Sequence, residues 1–249
     1  MAATVHVTPR CSVVKCGGRP VDIAEIHLPG TPRGAVLVMT SGRDFEPAAA
    51  ELLNGFAAFG YEGLAADATK LRGTRAELTA MVGHLLKRLG DRGWHDEQIG
   101  VVGYSWGGLV ALLAGVSFEL GAVVSVSPQP RYGSSDDLIQ WIGGLAPLTR
   151  APWLCLTGAD DPALPASVRD GLERTLRNDA STYTQIVSYV DVGQDFYRTS
   201  PDVAATAAAF DSWQRTVEWL ELRVAPRLTP LTKQWRQRQT VLGGASTER

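Results

Sequence analysis

The stretch Ile99-Gly100-Val101-Val102-Gly103-Tyr104-Ser105-Trp106-Gly107-Gly108-Leu109-Val110-Ala111-Leu112-Leu113 decides how this chain is read. Its first part is the apolar run of a strand buried on both faces, and it carries straight into Gly-x-Ser-x-Gly. Its last part, continuing to Val116, opens an apolar helix. A serine at this spacing sits on a strained strand-to-helix turn, where side chains at the flanking glycine positions would collide with neighbouring backbone. The bare pattern is common by chance, and a serine that merely caps a helix is the competing reading. The strand before it and the helix after it favour the turn, with Ser105 at its tip.

Outward from this stretch, strands and helices alternate. Ser12 to Lys15 and Val21 to His27 read as a hairpin about the turn Cys16-Gly17-Gly18-Arg19-Pro20, followed by the apolar run Ala35 to Met39. The amphipathic segment Ala48 to Phe59 stops at Gly60, and Gly63 to Asp67 is a strand ending in a carboxylate. Glu77 to Leu89 has helical spacing. Beyond the central stretch, Ala122 to Val126, Trp153 to Leu156 and Thr184 to Tyr189 supply strands with helical segments between them, and Ala204 to Leu222 reads as a long last helix. Such alternation predicts a mostly parallel central sheet with helices on both faces, and with the serine turn it predicts an α/β-hydrolase fold.

A chain of 249 residues is of ordinary size for one such domain, expected here over 1–225. Residues 226–249 read as a basic, mobile tail, whose Lys233, Trp235, Arg236 and Arg238 are either solvated or a partner contact. Lys and Arg number 24 against 26 Asp and Glu, so no single-sign field draws in nucleic acid or an anionic membrane. A small-molecule substrate is expected instead. The start of the chain lacks a signal-peptide pattern, and no stretch approaches the length of a membrane span. Cys11, Cys16 and Cys155 lack disulfide-framework and metal-ligand spacing, although Cys11 and Cys16 stand close enough in sequence to pair across a short loop. A soluble cytoplasmic protein without a cysteine metal site is therefore expected.

The serine turn also aims the Trp106 amide, at a helix N-terminus, toward the place where a tetrahedral intermediate carries its negative oxygen. A second donor is expected from the loop after Ala35 to Met39, with Gly42 either that donor or an ordinary turn glycine. The acid partner of such a serine lies after a later strand. Leu156-Thr157-Gly158-Ala159-Asp160-Asp161-Pro162 provides it, and Asp161 is preferred over Asp160 because the turn before Pro162 can aim it back at the site.

At these residues the chain resembles the dienelactone hydrolase family, α/β hydrolases that open small lactones and esters without a cofactor. The resemblance covers most of Ala35 to Leu220 and includes Ala57-Ala58-Phe59-Gly60-Tyr61, the serine turn, the Gly158 to Pro165 turn and the late segment Gly193-Gln194-Asp195-Phe196-Tyr197-Arg198-Thr199-Ser200. That last segment is similar to the family's His-x-Phe-x-Arg-Thr-Ser, in which the histidine is the base and the arginine can hold a substrate carboxylate. The resemblance thus implies that Ser105, where the family often has cysteine, is the nucleophile. It puts Gln194 at the histidine position, makes Arg198 either a carboxylate contact or a structural salt bridge, and leaves Ser41 as a substrate contact where the type member has a carboxylate.

A glutamine amide cannot take a serine's proton at neutral pH, and loss of a triad histidine costs about a millionfold in turnover. His6, His27, His84 and His95 are all expected to lie away from the mouth of the site. Gln194 keeps the capacity to donate to Asp161, and Arg72 and Arg75 either assist binding or are solvated. Three functions follow. The first is hydrolysis of a small carboxylated ester, lactone or thioester, slowed by Gln194 as an introduced or native change. The second is a non-hydrolytic cyclisation, dehydration or rearrangement that uses the same oxyanion donors. The third is a non-catalytic binding protein on the same scaffold.

Overall fold

In a computed structural model, residues 6–40, 44–131, 135–198 and 200–227 are described. Eight strands form one sheet: β1 (Arg10–Cys16), β2 (Arg19–Ile26), β3 (Gly34–Thr40), β4 (Tyr61–Asp67), β5 (Ile99–Tyr104), β6 (Ala122–Val126), β7 (Trp153–Gly158) and β8 (Thr184–Tyr189). Their order is β1-β2-β4-β3-β5-β6-β7-β8. Only the β1/β2 and β2/β4 pairs are antiparallel. From β4 to β8 all neighbours are parallel, so the strands' C-terminal ends converge on one edge. The sheet bears out the α/β-hydrolase expectation.

Six helices cover it: α1 (Phe45–Ala57), α2 (Arg75–Gly90), α3 (Trp106–Ser117), α4 (Ser135–Leu145), α5 (Ala166–Asp179) and α6 (Val203–Arg223). Alternation along the central strands divides the apolar residues between two cores. Ala35, Leu37 and Met39 of β3 face Leu78, Met81 and Leu85 of α2 and the apolar side of α3. Val36 and Val38 face Leu53 and Phe56 of α1 and Val217 and Leu220 of α6. An unbroken apolar run is what a strand needs when both of its faces are covered.

Several boundaries differ from those predicted. β1 and β2 pair as far as Cys16 opposite Arg19, leaving Gly17 and Gly18 as a two-residue turn with φ of 57° and 80°. This is the tight hairpin geometry that two positive-φ residues allow. α1 begins at Phe45, and Ala58 is already its C-cap. α2 begins two residues before Glu77, because Thr74 and Glu77 form a reciprocal capping box ahead of the apolar periodicity.

Cys11 is exposed, Cys16 is buried, and both are free. Their odd spacing along one strand points them to opposite faces, which rules out the pairing considered above. Arg227, assigned above to the tail, is docked: its guanidinium lies 4.3 Å from the centroid of the Trp94 ring and donates to the Gly93 carbonyl at 2.8 Å. Lys233, Trp235, Arg236 and Arg238 lie outside the described residues. Among the described residues no helix is long and apolar enough to cross a membrane.

Candidate active site

The turn between β5 and α3 is strained at one residue, Ser105, which has φ 52° and ψ −122°. A Cβ on Gly103 would stand 1.9 Å from the Gly107 carbonyl oxygen, and one on Gly107 would stand 2.2 Å from that of Met39. Both contacts are with backbone, so the glycines are required for the chain to reverse here. The strain lifts Ser105 above the sheet's C-terminal edge and leaves the Trp106 amide as the first N–H of α3, with no carbonyl of its own helix to bind. The Trp106 indole is anchored separately, its Nε1 donating to the Leu71 carbonyl at 2.9 Å.

Asp161 lies beyond β7 and is 2% exposed, whereas Asp160 beside it is exposed. One oxygen of Asp161 accepts from the Ala163 amide at 2.9 Å and the other from Nε2 of Gln129 at 2.6 Å. Burial raises its pKa above the usual carboxylate value, against the lowering effect of these two bonds and of the Arg169 charge. Arg169 is itself buried and donates to the carbonyls of Ala159 and Leu164 at 3.2 and 2.6 Å, which closes the turn that holds the acid.

Gln129 belongs to Ser127-Pro128-Gln129-Pro130, the loop that leaves β6 next to the serine turn. Its backbone amide donates to the Ser105 carbonyl at 3.2 Å, so one residue ties Asp161 to the backbone of Ser105. The apolar pattern of β6 ends at Val126, and no site residue was expected in this loop. A polar residue held between two prolines, at the C-terminal end of the strand neighbouring the serine strand, was the available signal.

The late segment is placed differently from the expectation. The Gln194 side chain is exposed and makes no hydrogen bond to Asp161 or Ser105. Its backbone carbonyl instead accepts from the hydroxyl of Ser127, a buried residue with φ 44°. The expected Gln194–Asp161 bond is therefore corrected: Gln129 has taken that position. Arg198 is half exposed and pairs with Asp195 at 3.0 Å. Phe196 and Tyr197 turn inward, Phe196 into the core and Tyr197 with its ring 5.3 Å from that of Tyr104.

The histidines lie elsewhere, and all four are exposed. His27 follows Ile26, which pairs with Gly63 near the start of β4, and His95 precedes the first residue of β5, so both stand at the opposite edge of the sheet. His84 bonds the Ala80 carbonyl of its own helix at 2.7 Å. Cys155 offers no alternative nucleophile, since burial pushes its thiol up to about 12. Ser41 and Gly42 lie outside the described residues.

Beside Trp106 opens a cleft of about 340 Å³, lined by Arg72, Gly73, Pro130, Arg131, Asp137 and Trp141 as well. The Trp106 and Trp141 rings meet edge to face at 5.6 Å, and Arg75 lies over Trp141 at 4.9 Å. Arg131 reaches across to the Thr69 carbonyl. The cleft thus combines an aromatic wall with the guanidinium groups of Arg72 and Arg131 and the carboxylate of Asp137, close to the serine turn.

The dienelactone hydrolase family model matches residues 48–223. The chain belongs to the dienelactone hydrolase family. Within that family it is 34% identical to a carboxymethylenebutenolidase of Rhodococcus opacus over 131 residues, 51% of either chain. The chain spans about half the length of the curated relatives it matches. Among solved structures, one from Klebsiella pneumoniae named for dienelactone hydrolase superposes with a TM-score of 0.66 at 20% identity, covering 86% of this chain and 99% of that one. A dienelactone hydrolase-like promiscuous phosphotriesterase from metagenomic libraries gives 0.64 at 16% identity, covering 85% and 98%. At such identities these two likenesses speak for the fold.

Proposed function

We propose that this dienelactone hydrolase family member acts on a small ester, lactone or thioester that carries a carboxylate, with Ser105 as nucleophile and with turnover limited by the want of a base at position 194. The observation that carries the reading is the strained Ser105 turn with Asp161 buried behind it. Strain of this kind persists where a reactive hydroxyl must be presented, and a buried carboxylate costs stability that packing alone does not require. Asp161 is assigned as the orienting acid and the amides of Trp106 and Gly42 as oxyanion donors, while Gln194 stands at the family's base position in sequence with its side chain turned to solvent. Support for a carboxylated substrate comes from the cleft beside Trp106, where Arg72 and Arg131 are offered as the binding cations and Arg198 as a further one at the rim.

Restoring the base tests this. Gln194→His combined with Gln129→Ala, which frees the Asp161 carboxylate to draw the imidazole inward, is expected to raise turnover of p-nitrophenyl acetate and of simple lactones by about a hundredfold, the lower range of general-base catalysis, and Ser105→Ala in that background to remove the gain. An inert double variant whose Ser105 also resists a fluorophosphonate probe would sink the hydrolase reading.

The pairing of Asp161 with Gln129 favours a second reading, in which the oxyanion donors serve a cyclisation or dehydration that needs no activated serine. Under it Ser105→Ala retains turnover of the true substrate. Complete loss of that turnover decides against it.

A further inference from the structure

We propose that Tyr197 is a catalytic residue of this site, its hydroxyl donating a hydrogen bond to the substrate oxygen that gains negative charge when Ser105 attacks. The proposal rests on the reading of Ser105 as nucleophile and adds a donor that the family resemblance does not assign. The Tyr197 hydroxyl oxygen is shielded from solvent and has no hydrogen-bond partner of acceptable geometry. It nevertheless lies near enough to Ser105 and Arg198 for both to draw its pKa down. A buried polar group left unpaired is destabilising, so such a group beside Ser105 is accounted for if the substrate supplies the partner.

The ring is held on several sides, which keeps the hydroxyl aimed. Tyr104 packs at 5.3 Å, Phe196 stands edge-on at 6.1 Å, and the Arg198 guanidinium lies 5.4 Å from the ring centroid. The segment that would present position 194 in the family thus presents position 197 here, with Gln194 turned to solvent. A phenol in this position is a donor rather than a base. Burial raises its pKa more than Arg198 and Ser105 lower it, and Asp195 adds to the rise, so the proton stays on the oxygen at neutral pH. The proton is shared along the hydrogen bond and never leaves the phenol. The bond strengthens as charge builds on the substrate oxygen, which makes it selective for the transition state.

The test follows phosphonylation of Ser105 by a fluorophosphonate probe, read by intact mass over hours. In that reaction a bond forms from Ser105 Oγ to phosphorus, fluoride leaves, and the hydroxyl proton passes to water. Tyr197→Phe removes only the unpaired hydroxyl and keeps the ring contacts, so the melting temperature should rise, not fall. The expected result is a maximal labelling rate at least about tenfold lower than that of the native chain, with the half-saturating probe concentration unchanged. Equal maximal rates in the two proteins, or a loss confined to probe affinity, would overturn the role of Tyr197 while leaving Ser105 as nucleophile. A native chain that is not labelled, or a Ser105→Ala variant labelled as fast, overturns the nucleophile reading and this proposal with it.

Discussion

Asp161 shows at the residue scale how a functional site works against the fold that holds it. Its carboxyl is buried, and its pKa in the folded chain is raised above the value it has when unfolded. Between those two values the folded state binds the proton more tightly, so this group's contribution to stability falls as pH rises through that window and stays unfavourable at neutral pH. Asp161→Asn should therefore melt about 2 °C higher than the native chain at pH 7, a difference that shrinks as the pH is taken below the usual carboxylate range. Calorimetry across pH reads both, and a variant less stable at pH 7 would show that the Ala163 and Gln129 bonds outweigh burial. In the cleft, Arg131→Ala should raise KM for a carboxylated ester about tenfold and leave that for p-nitrophenyl acetate unchanged. Equal effects on both substrates would assign Arg131 to holding the Thr69 loop instead.

At the scale of elements, the site depends on how closely two loops approach each other. Gly158 ends β7, and a Cβ there would stand 2.3 Å from the carbonyl oxygens of both Val192 and Gly193. The amide of Asp160 donates to the Val192 carbonyl at 3.0 Å, and that of Ala159 to the Tyr189 carbonyl at 2.7 Å, so the acid turn and the late segment are sewn together along their backbones. Gly158→Ala should push the late segment outward, costing about 2–3 kcal/mol in chemical denaturation and displacing Tyr197 from Ser105. A variant of native stability with unchanged probe labelling would show that the loop yields without cost. The same closeness brings the late segment within reach of the loop after β6, where the Ser127 hydroxyl donates to the Gln194 carbonyl.

Over the whole molecule, chemistry and stability are gathered at opposite edges of the sheet. The C-terminal edge holds the strained serine, the buried acid and the unpaired phenol. Toward the other edge, Glu25 of β2 is almost fully buried and is gripped by Arg88, at 2.6 Å, and by Arg92. Glu62 accepts from the Trp94 indole at 2.8 Å, and Arg33 binds Glu221 of α6 at 2.8 Å. Removing one member of a buried ion pair leaves its partner charge uncompensated. Glu25→Ala is thus expected to lose about 3 kcal/mol in urea unfolding while Ser105 is labelled at the native rate below the transition. A loss under 1 kcal/mol would mean that Arg88 and Arg92 find solvent or another partner. Separation of this kind lets the reactive edge carry strain without unfolding the domain.

The α/β-hydrolase fold was legible in the sequence because its signals are local. Runs such as Ala35 to Met39 and Ile99 to Tyr104 must be apolar throughout to be covered on both faces, and the glycines about Ser105 answer a collision with backbone only a few residues away or on the next strand. The Gly158 to Pro162 turn was likewise legible as a turn that closes β7, and it holds Asp161 buried. What occupies the space between Ser105 and Asp161 was decided by tertiary structure alone. Gln129 and Tyr197 come to that space from two loops far apart in sequence while Gln194 turns to solvent, and which side chain points inward depends on the contacts each loop makes. Ser127 pins the backbone at Gln194, and Tyr104 and Phe196 pack about Tyr197. Position in a motif names a residue, but a side chain's direction is set by what it packs against, and that is absent from one stretch of sequence read by itself.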